Sequence, residues 1–239
     1  MEIYVFKTPL ETVKGLADFF IAIVNDAIDK RGECNLVLSG GNSPRKLFEL
    51  LTSSEYKNQV NWKKIWFFFG DERYVPFTDD DNNGLMAKKI LFDPLKIENS
   101  KIFYINTSLT AEKAAVDYEK KLTAHFASKP IHFDLILLGL GDNAHTASLF
   151  PYTSVIHENN ALVSALYIEE INACRITMTP LAINQGSNIA FLVYGDSKAV
   201  AVYHTLKGSK DINKFPAQLI NPKNGTVYWF LDNASASML

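Results

Sequence analysis

Short apolar runs alternate along the chain with stretches in which apolar positions recur every three or four residues, and each run ends in a small or polar turn. Alternating strands and helices of a parallel sheet read in this way. The run Cys34–Leu38 leads into Ser39-Gly40-Gly41-Asn42-Ser43 and a helical stretch over residues 44–51, where Ser43 can cap and Pro44 suits the first helical position. Ile65–Phe69 ends at Gly70-Asp71-Glu72-Arg73, residues 133–138 end at Gly139-Leu140-Gly141, and residues 189–194 end at Gly195-Asp196-Ser197-Lys198 ahead of a helix through Leu206. Runs so uniformly apolar predict central strands covered on both faces. Helices are predicted over residues 12–30 and Ala111–Phe126, a first strand from about Glu2, and a last strand over residues 226–231 after the Asn224-Gly225 turn.

No stretch rich in Pro, Gly or Ser divides the chain and no internal repeat is visible, so residues 1–239 are read as a single domain. The predicted fold is α/β, an open, mostly parallel sheet with helices on both faces. In such a sheet the turns that follow the strands gather along one edge, where ligands bind. Ser39 to Ser43, Asp71 to Arg73, Gly139 to His145 and Lys198 are therefore expected to meet.

Composition narrows the ligand. A hydrophobic content of 47% suits one large core, and the net charge of -2 gives no general attraction to nucleic acid or to an anionic membrane, so a small molecule is the expected partner. Met1 to Lys7 lacks the features of a signal peptide and no apolar segment is long enough to span a bilayer, which predicts a cytoplasmic protein. Cys34 and Cys174 are too few for a disulfide framework or a zinc site and are read as buried thiols.

The turn Ser39-Gly40-Gly41-Asn42-Ser43 opens a helix, so its backbone N–H groups can face an anion with the helix dipole behind them; a plain tight turn is the other reading. It is neither a Walker A loop nor a serine-hydrolase elbow. Gly139-Leu140-Gly141-Asp142-Asn143-Ala144 fits a dinucleotide fingerprint, but Pro151 leaves little room for the helix that such a site needs. Asp79 to Gly84 resembles half of a calcium loop, but its twelfth position is Ile90 rather than Glu; it reads as a solvated loop whose Asp and Asn residues cap the stretch after Gly84.

His145 alone among the five histidines sits in a strand-end loop, between small residues, and suits a general base. His125, His132, His157 and His204 suit hydrogen-bonded or surface roles. Asp71 and Arg73 are expected to emerge at the sheet edge, with a structural ion pair, such as Glu72 with a nearby base, as the other reading. Arg73, Arg175 and Lys198 are candidate phosphate clamps or ordinary surface charge.

Taken together, Leu38 to Pro44, Phe69 to Pro76, and Gly139 to Gly141 through His145-Thr146-Ala147-Ser148-Leu149-Phe150-Pro151 resemble the 6-phosphogluconolactonase family of the glucosamine-6-phosphate isomerase superfamily. Weaker echoes are Arg175 to Thr179, Gly195 to Ala199, Phe215-Pro216-Ala217 and Trp229 to Asp232. The resemblance implies a modified Rossmann-like fold of the NagB type and hydrolysis of 6-phosphogluconolactone in the pentose phosphate pathway without metal or cofactor. It also implies a sugar-phosphate partner and a monomer or weak homo-oligomer. By the same resemblance His145 activates water, Asp71 orients or charge-balances it, and Ser39, Gly40, Gly41 and Asn42 with Arg73, Arg175 and Lys198 hold the substrate phosphate.

The chain departs from the family at Asn143-Ala144, where Asp-Gly is usual. Asn cannot take a proton, so Asp–His pairing through that position is expected to be lost, and Ala144 implies that a positive backbone angle is not demanded there or is tolerated at a cost. Two rival readings remain: an amino-sugar-phosphate deaminase or isomerase with Asp71 as base, and a non-catalytic sugar-phosphate sensor. Ammonia release from glucosamine 6-phosphate identifies the first, and the second is expected to carry a DNA-binding module for which no room precedes Glu2.

Overall fold

The chain opens with the strand Glu2–Phe6 (β1) and turns at Thr8 into the helix Pro9–Arg31 (α1) in the computed structural model, which describes residues 1–127 and 129–239. Helix α1 starts ahead of the predicted Thr12 because local chemistry starts it. The Thr8 hydroxyl accepts the Glu11 N–H, Pro9 takes the first helical position, and Glu11 Oε2 accepts the Lys7 N–H at 3.0 Å. There follow β2 (Cys34–Leu38), α2 (Asn42–Leu51), β3 (Ile65–Phe69), β4 (Asp71–Arg73) and α3 (Asn83–Ala87), which runs through a π-helical turn into α4 (Asp93–Leu95). The remainder is α5 (Ala111–Phe126), β5 (Leu135–Leu138), β6 (Val163–Ile168), β7 (Ala173–Met178), α6 (Pro180–Ile183), β8 (Asn188–Val193), α7 (Ala199–Leu206) and β9 (Thr226–Asp232).

Six strands form one open sheet in the order β1-β9-β8-β5-β2-β3, with every neighbouring pair parallel, as the apolar runs predict. Every residue of β2 and β5 is buried, so both faces of the sheet's centre are covered. Phe191 and Trp229 lie flat on each other at 4.0 Å between centroids, and the buried Phe67, Phe68 and Phe69 of β3 pack against Phe92, Phe103 and Phe126. From β2 the sheet grows one way to β3 and the other way to β5, and this reversal opens a crevice beyond their carboxyl ends.

A second, antiparallel sheet, β4-β7-β6, was not legible in the pattern. Asp71 to Arg73, expected as a polar turn, forms the strand β4 instead. The chain leaves the main sheet at Gly70, whose N–H donates to Leu38 and whose carbonyl accepts from Met178. A three-residue strand of charged side chains carries no apolar alternation by which to recognise it.

Other details differ from expectation for local reasons. Ser43 does not cap α2: Gly41 holds the N-cap position with no side-chain bond. Strand β5 begins at Leu135 rather than at residue 133, because the buried Asp134 turns its carboxylate to Arg31, to His132 at 2.9 Å and to the Asn35 N–H at 2.7 Å. Cys34 is buried, and burial pushes its thiol well up; Cys174 is only half-buried, in the first part of β7. Asn82 caps α3 by accepting the Leu85 N–H, as the loop reading expects, but Asn82 and Asn83 are buried rather than solvated, and the helix begins at Asn83 rather than after Gly84. Among the described residues no helix is long and apolar enough to cross a membrane.

Asp134 ties the start of β5 to β2 at the centre of the sheet. Replacing it with Ala strands the buried Asn35 N–H and is expected to cost about 1–3 kcal/mol. A lower urea midpoint with an unchanged slope is the expected result, and an unshifted midpoint contradicts the assignment.

Candidate active site

A cleft of about 850 Å³ lies at the crevice. All nine residues singled out from the sequence line it: Ser39, Gly40, Gly41, Asn42, Asp71, Arg73, His145, Arg175 and Lys198. They arrive from the ends of β2 and β5, from the small antiparallel sheet, and from the turn between β8 and α7.

The floor next to β2 is the turn that opens α2. Gly41 has φ 100°, a conformation that L side chains rarely adopt, and it starts α2 without a side-chain cap. Asn42 and Ser43, the first two residues of this ten-residue helix, line the cleft, and their N–H groups have no side-chain partner among the described residues; Pro44 has no N–H, and that of Arg45 donates to the Gly41 carbonyl. Arg45 and Lys46, which the sequence reading passed over, also line this side.

Opposite lies a pair of arginines. Arg73 of β4 and Arg175 of β7 are direct cross-strand partners, so two positive side chains share one face. Like charges in that relation repel. Burial, and then the neighbouring Arg73, push Arg175 below its ordinary value, while Asp71, Asp81 and Glu72 pull the other way. Arg73 also donates from Nη1 to the Asp81 carbonyl at 2.9 Å.

Asp71 is buried rather than displayed at the edge, and Oδ2 accepts from Ser148 Oγ at 2.7 Å. Among the described residues no hydrogen bond or salt bridge joins it to His145 or to Arg175, although its charge opposes the downward push on Arg175. Glu72 pairs with no base either: it accepts the N–H groups of Arg73, Asn83 and Gly84 at 2.7–2.9 Å, and burial raises its carboxyl to about 7 against those donors. That grip seats Asn83 in the cleft wall, where Nδ2 donates to the Asp71 carbonyl at 3.0 Å.

The histidine loop is fixed by its own backbone. Gly141 donates to the His145 carbonyl, Ala144 donates to Gly141, and Thr146 Oγ1 donates to Gly139 at 2.9 Å. Ala144 has φ 60°, so the positive angle is demanded and is tolerated at a cost of roughly 1 kcal/mol. Its carbonyl accepts the Ala217 N–H at 3.0 Å, which gives the Phe215-Pro216-Ala217 echo a task. The imidazole lies on Phe150 at 4.0 Å and covers Gly141, where an added Cβ would stand 2.0 Å from Nδ1.

The charged Asp–His pairing is absent at Asn143, yet the side chain still meets His145. Asn143 Oδ1 lies 2.6 Å from His145 Nδ1 and accepts the His145 backbone N–H at 3.1 Å, so the geometry of an acceptor is kept and only its charge is absent. Asp142 points elsewhere, to Lys198 Nζ at 2.5 Å, so Lys198 enters the cleft already paired. Burial first, then Lys198 and Arg175, push the His145 imidazole down to about 4. The ring is therefore neutral at cellular pH, with Nδ1 engaged and Nε2 unpartnered among the described residues.

The other histidines are tied elsewhere: His125 to Asn35, His132 to Asp134, His157 to Asn213, and His204 stacked on Phe215. Among the described residues no group of three or more His, Cys, Asp or Glu side chains is arranged to hold a metal ion. Ser148 and Phe150 lie within the string that carried the resemblance, although their contacts could not be read from it. In the sequence Asn83 reads only as a loop residue, and Glu170, 27 positions from Asn143, carries no signal at all.

A family profile described as glucosamine-6-phosphate isomerases/6-phosphogluconolactonase matches residues 7–229. The 6-phosphogluconolactonase of Synechocystis sp. is 36% identical over 220 residues, covering 90% of this chain and 89% of its own. That of Haemophilus influenzae is 35% identical over 205 residues, covering 86% and 87%. The crystal structure of 6-phosphogluconolactonase from Thermotoga maritima matches with a TM-score of 0.84 at 27% identity, over 97% of this chain and 99% of that one.

The electrostatics of the cleft predict that His145 titrates near 4 in the free protein instead of near its ordinary 6.5. Replacing Lys198 with Ala removes a positive neighbour and is expected to raise that value. Titration of the ring by NMR checks both statements, and an unperturbed wild-type value contradicts them.

Proposed function

The chain belongs to the glucosamine-6-phosphate isomerase/6-phosphogluconolactonase family, and on that basis we propose that it hydrolyses 6-phospho-D-glucono-1,5-lactone to 6-phosphogluconate. It is a carboxylic ester hydrolase of the oxidative pentose phosphate pathway, working in the cytoplasm as a monomer or weak homo-oligomer. One observation carries the reading: a neutral imidazole held at Nδ1 stands in the same cleft as paired arginines and an uncapped helix start.

The substrate is a dianionic phosphate ester joined to a ring ester. Its phosphate relieves the repulsion between Arg73 and Arg175 and takes the N–H groups of the Ser39 to Asn42 turn, so binding and charge balance are one event. Lys198 adds positive potential while staying paired with Asp142. Asp71 serves the site through Arg175 and Ser148, so its charge-balancing partner is an arginine and not the imidazole.

With the phosphate anchored, the lactone carbonyl is held near His145. Nε2 takes a proton from water as the water oxygen bonds to the carbonyl carbon, giving a tetrahedral oxyanion. Collapse breaks the bond to the ring oxygen, which leaves as a hydroxyl by taking the proton from Nε2, and the new carboxylic acid ionises to solvent. The base returns to its neutral form. An approaching phosphate dianion raises the His145 pKa, which strengthens the base only when substrate is present.

Purified protein mixed with freshly prepared lactone is expected to consume it well above the spontaneous rate. His145→Ala is expected to lower kcat by roughly a hundredfold or more with little change in binding. Arg175→Ala is expected to raise KM for the phosphorylated lactone by about tenfold or more and to leave the unphosphorylated lactone unaffected. Equal losses on both lactones contradict the phosphate role, and ammonia release from glucosamine 6-phosphate instead of lactone loss identifies the deaminase.

A further inference from the structure

We propose that Glu170 is a positioning residue for His145, acting through the side-chain amide of Asn143 to fix which imidazole nitrogen carries the proton. Its consequence for catalysis rests on the lactonase reading; the juxtaposition itself does not.

Glu170 lies in the single 3-10 turn that joins β6 to β7 and comes from a different sheet than the histidine loop. Asn143 Nδ2 stands 3.2 and 3.1 Å from the two Glu170 carboxylate oxygens. The other end of the same amide, Oδ1, accepts the His145 backbone N–H and lies 2.6 Å from ring Nδ1. An ionised carboxylate only accepts, so it can pair only with the amide nitrogen. The amide oxygen must then face the ring, and because it too only accepts, Nδ1 must carry the hydrogen.

This sequence of acceptor, donor, acceptor, donor leaves Nε2 as the basic nitrogen. The His145 backbone N–H asks for the same orientation, so it and Glu170 hold the amide from its two ends; were the amide reversed, its NH2 would donate to Nδ1, the ring hydrogen would sit on Nε2, and the base would be lost. The other acidic side chains near the ring do not reach this amide. Asp142 is held by Lys198 at 2.5 Å, and Asp71 is held by Ser148. During the reaction Nε2 takes the proton from water and gives it to the ring oxygen of the lactone, while the Nδ1 hydrogen stays in place.

The test compares wild type with Glu170→Ala and Glu170→Gln. With 15N-labelled histidine and no substrate, wild type is expected to show the His145 hydrogen on Nδ1, and Glu170→Ala a mixture of tautomers. Glu170→Gln is expected to stay close to wild type, since its amide oxygen still accepts from Asn143. In the lactonase assay Glu170→Ala is expected to lower kcat by about tenfold with KM little changed, and Glu170→Gln to recover most of that loss. The proposal is overturned if Glu170→Ala keeps the wild-type tautomer, whether kcat is unchanged or falls together with thermal stability as a loop anchor would make it. Should wild type fail to hydrolyse lactone, the functional reading fails and the tautomer measurement still decides the relay.

Discussion

Six strands running in one direction set every other property of this site. Parallel pairing forces each connection to return across the sheet, so the polar turns collect at the carboxyl ends. Where the order reverses between β2 and β5, the two following segments diverge and leave room that side chains do not fill. The glycine turn enters that space from one side and the histidine loop from the other. Burial of both central strands holds the two at fixed separation, because neither strand can slide without exposing its apolar run.

Against this rigid edge the small antiparallel sheet places charge where charge is uncomfortable. Arg73 and Arg175 occupy one register position, their repulsion opposed by the charge of Asp71 and by the Asp81 carbonyl to which Arg73 donates. Glu72 stands behind them as the opposite case, a buried carboxylate used to grip three backbone N–H groups and so to fix the wall. Binding and structural charges are thus adjacent in sequence and separated by which face of a three-residue strand they occupy.

The same positive potential and the same burial that suit a phosphate also keep His145 neutral. In the proposed reaction a base near 4 is weak, and proximity to the carbonyl supplies what basicity does not. Tautomer control then matters, because only one ring nitrogen faces unpaired into the cleft. Asn143 provides it without charge, and the strained backbone at Ala144, braced by Ala217, shows how closely the loop has been fitted around the ring.

The pattern of apolar runs determined the α/β class, the strands β2, β3, β5 and β8, the helix Ala111–Phe126 and the list of strand-end residues that now line one cleft, although β3, expected as a central strand, lies at the sheet edge. Those features depend on local periodicity and on the rule that parallel strands end together, both of which are written along the chain. The second sheet, the link from Asp71 to Ser148 and the approach of Glu170 depend on contacts between distant segments, and the pairing of Asn143 with His145 depends on the shape of one loop; no periodicity encodes any of them. Asn143 is the clearest case. Its residue type forbids proton transfer, which is legible from the sequence, whereas the orientation that lets it accept from the ring is decided by the backbone turn around it and by a carboxylate from another sheet.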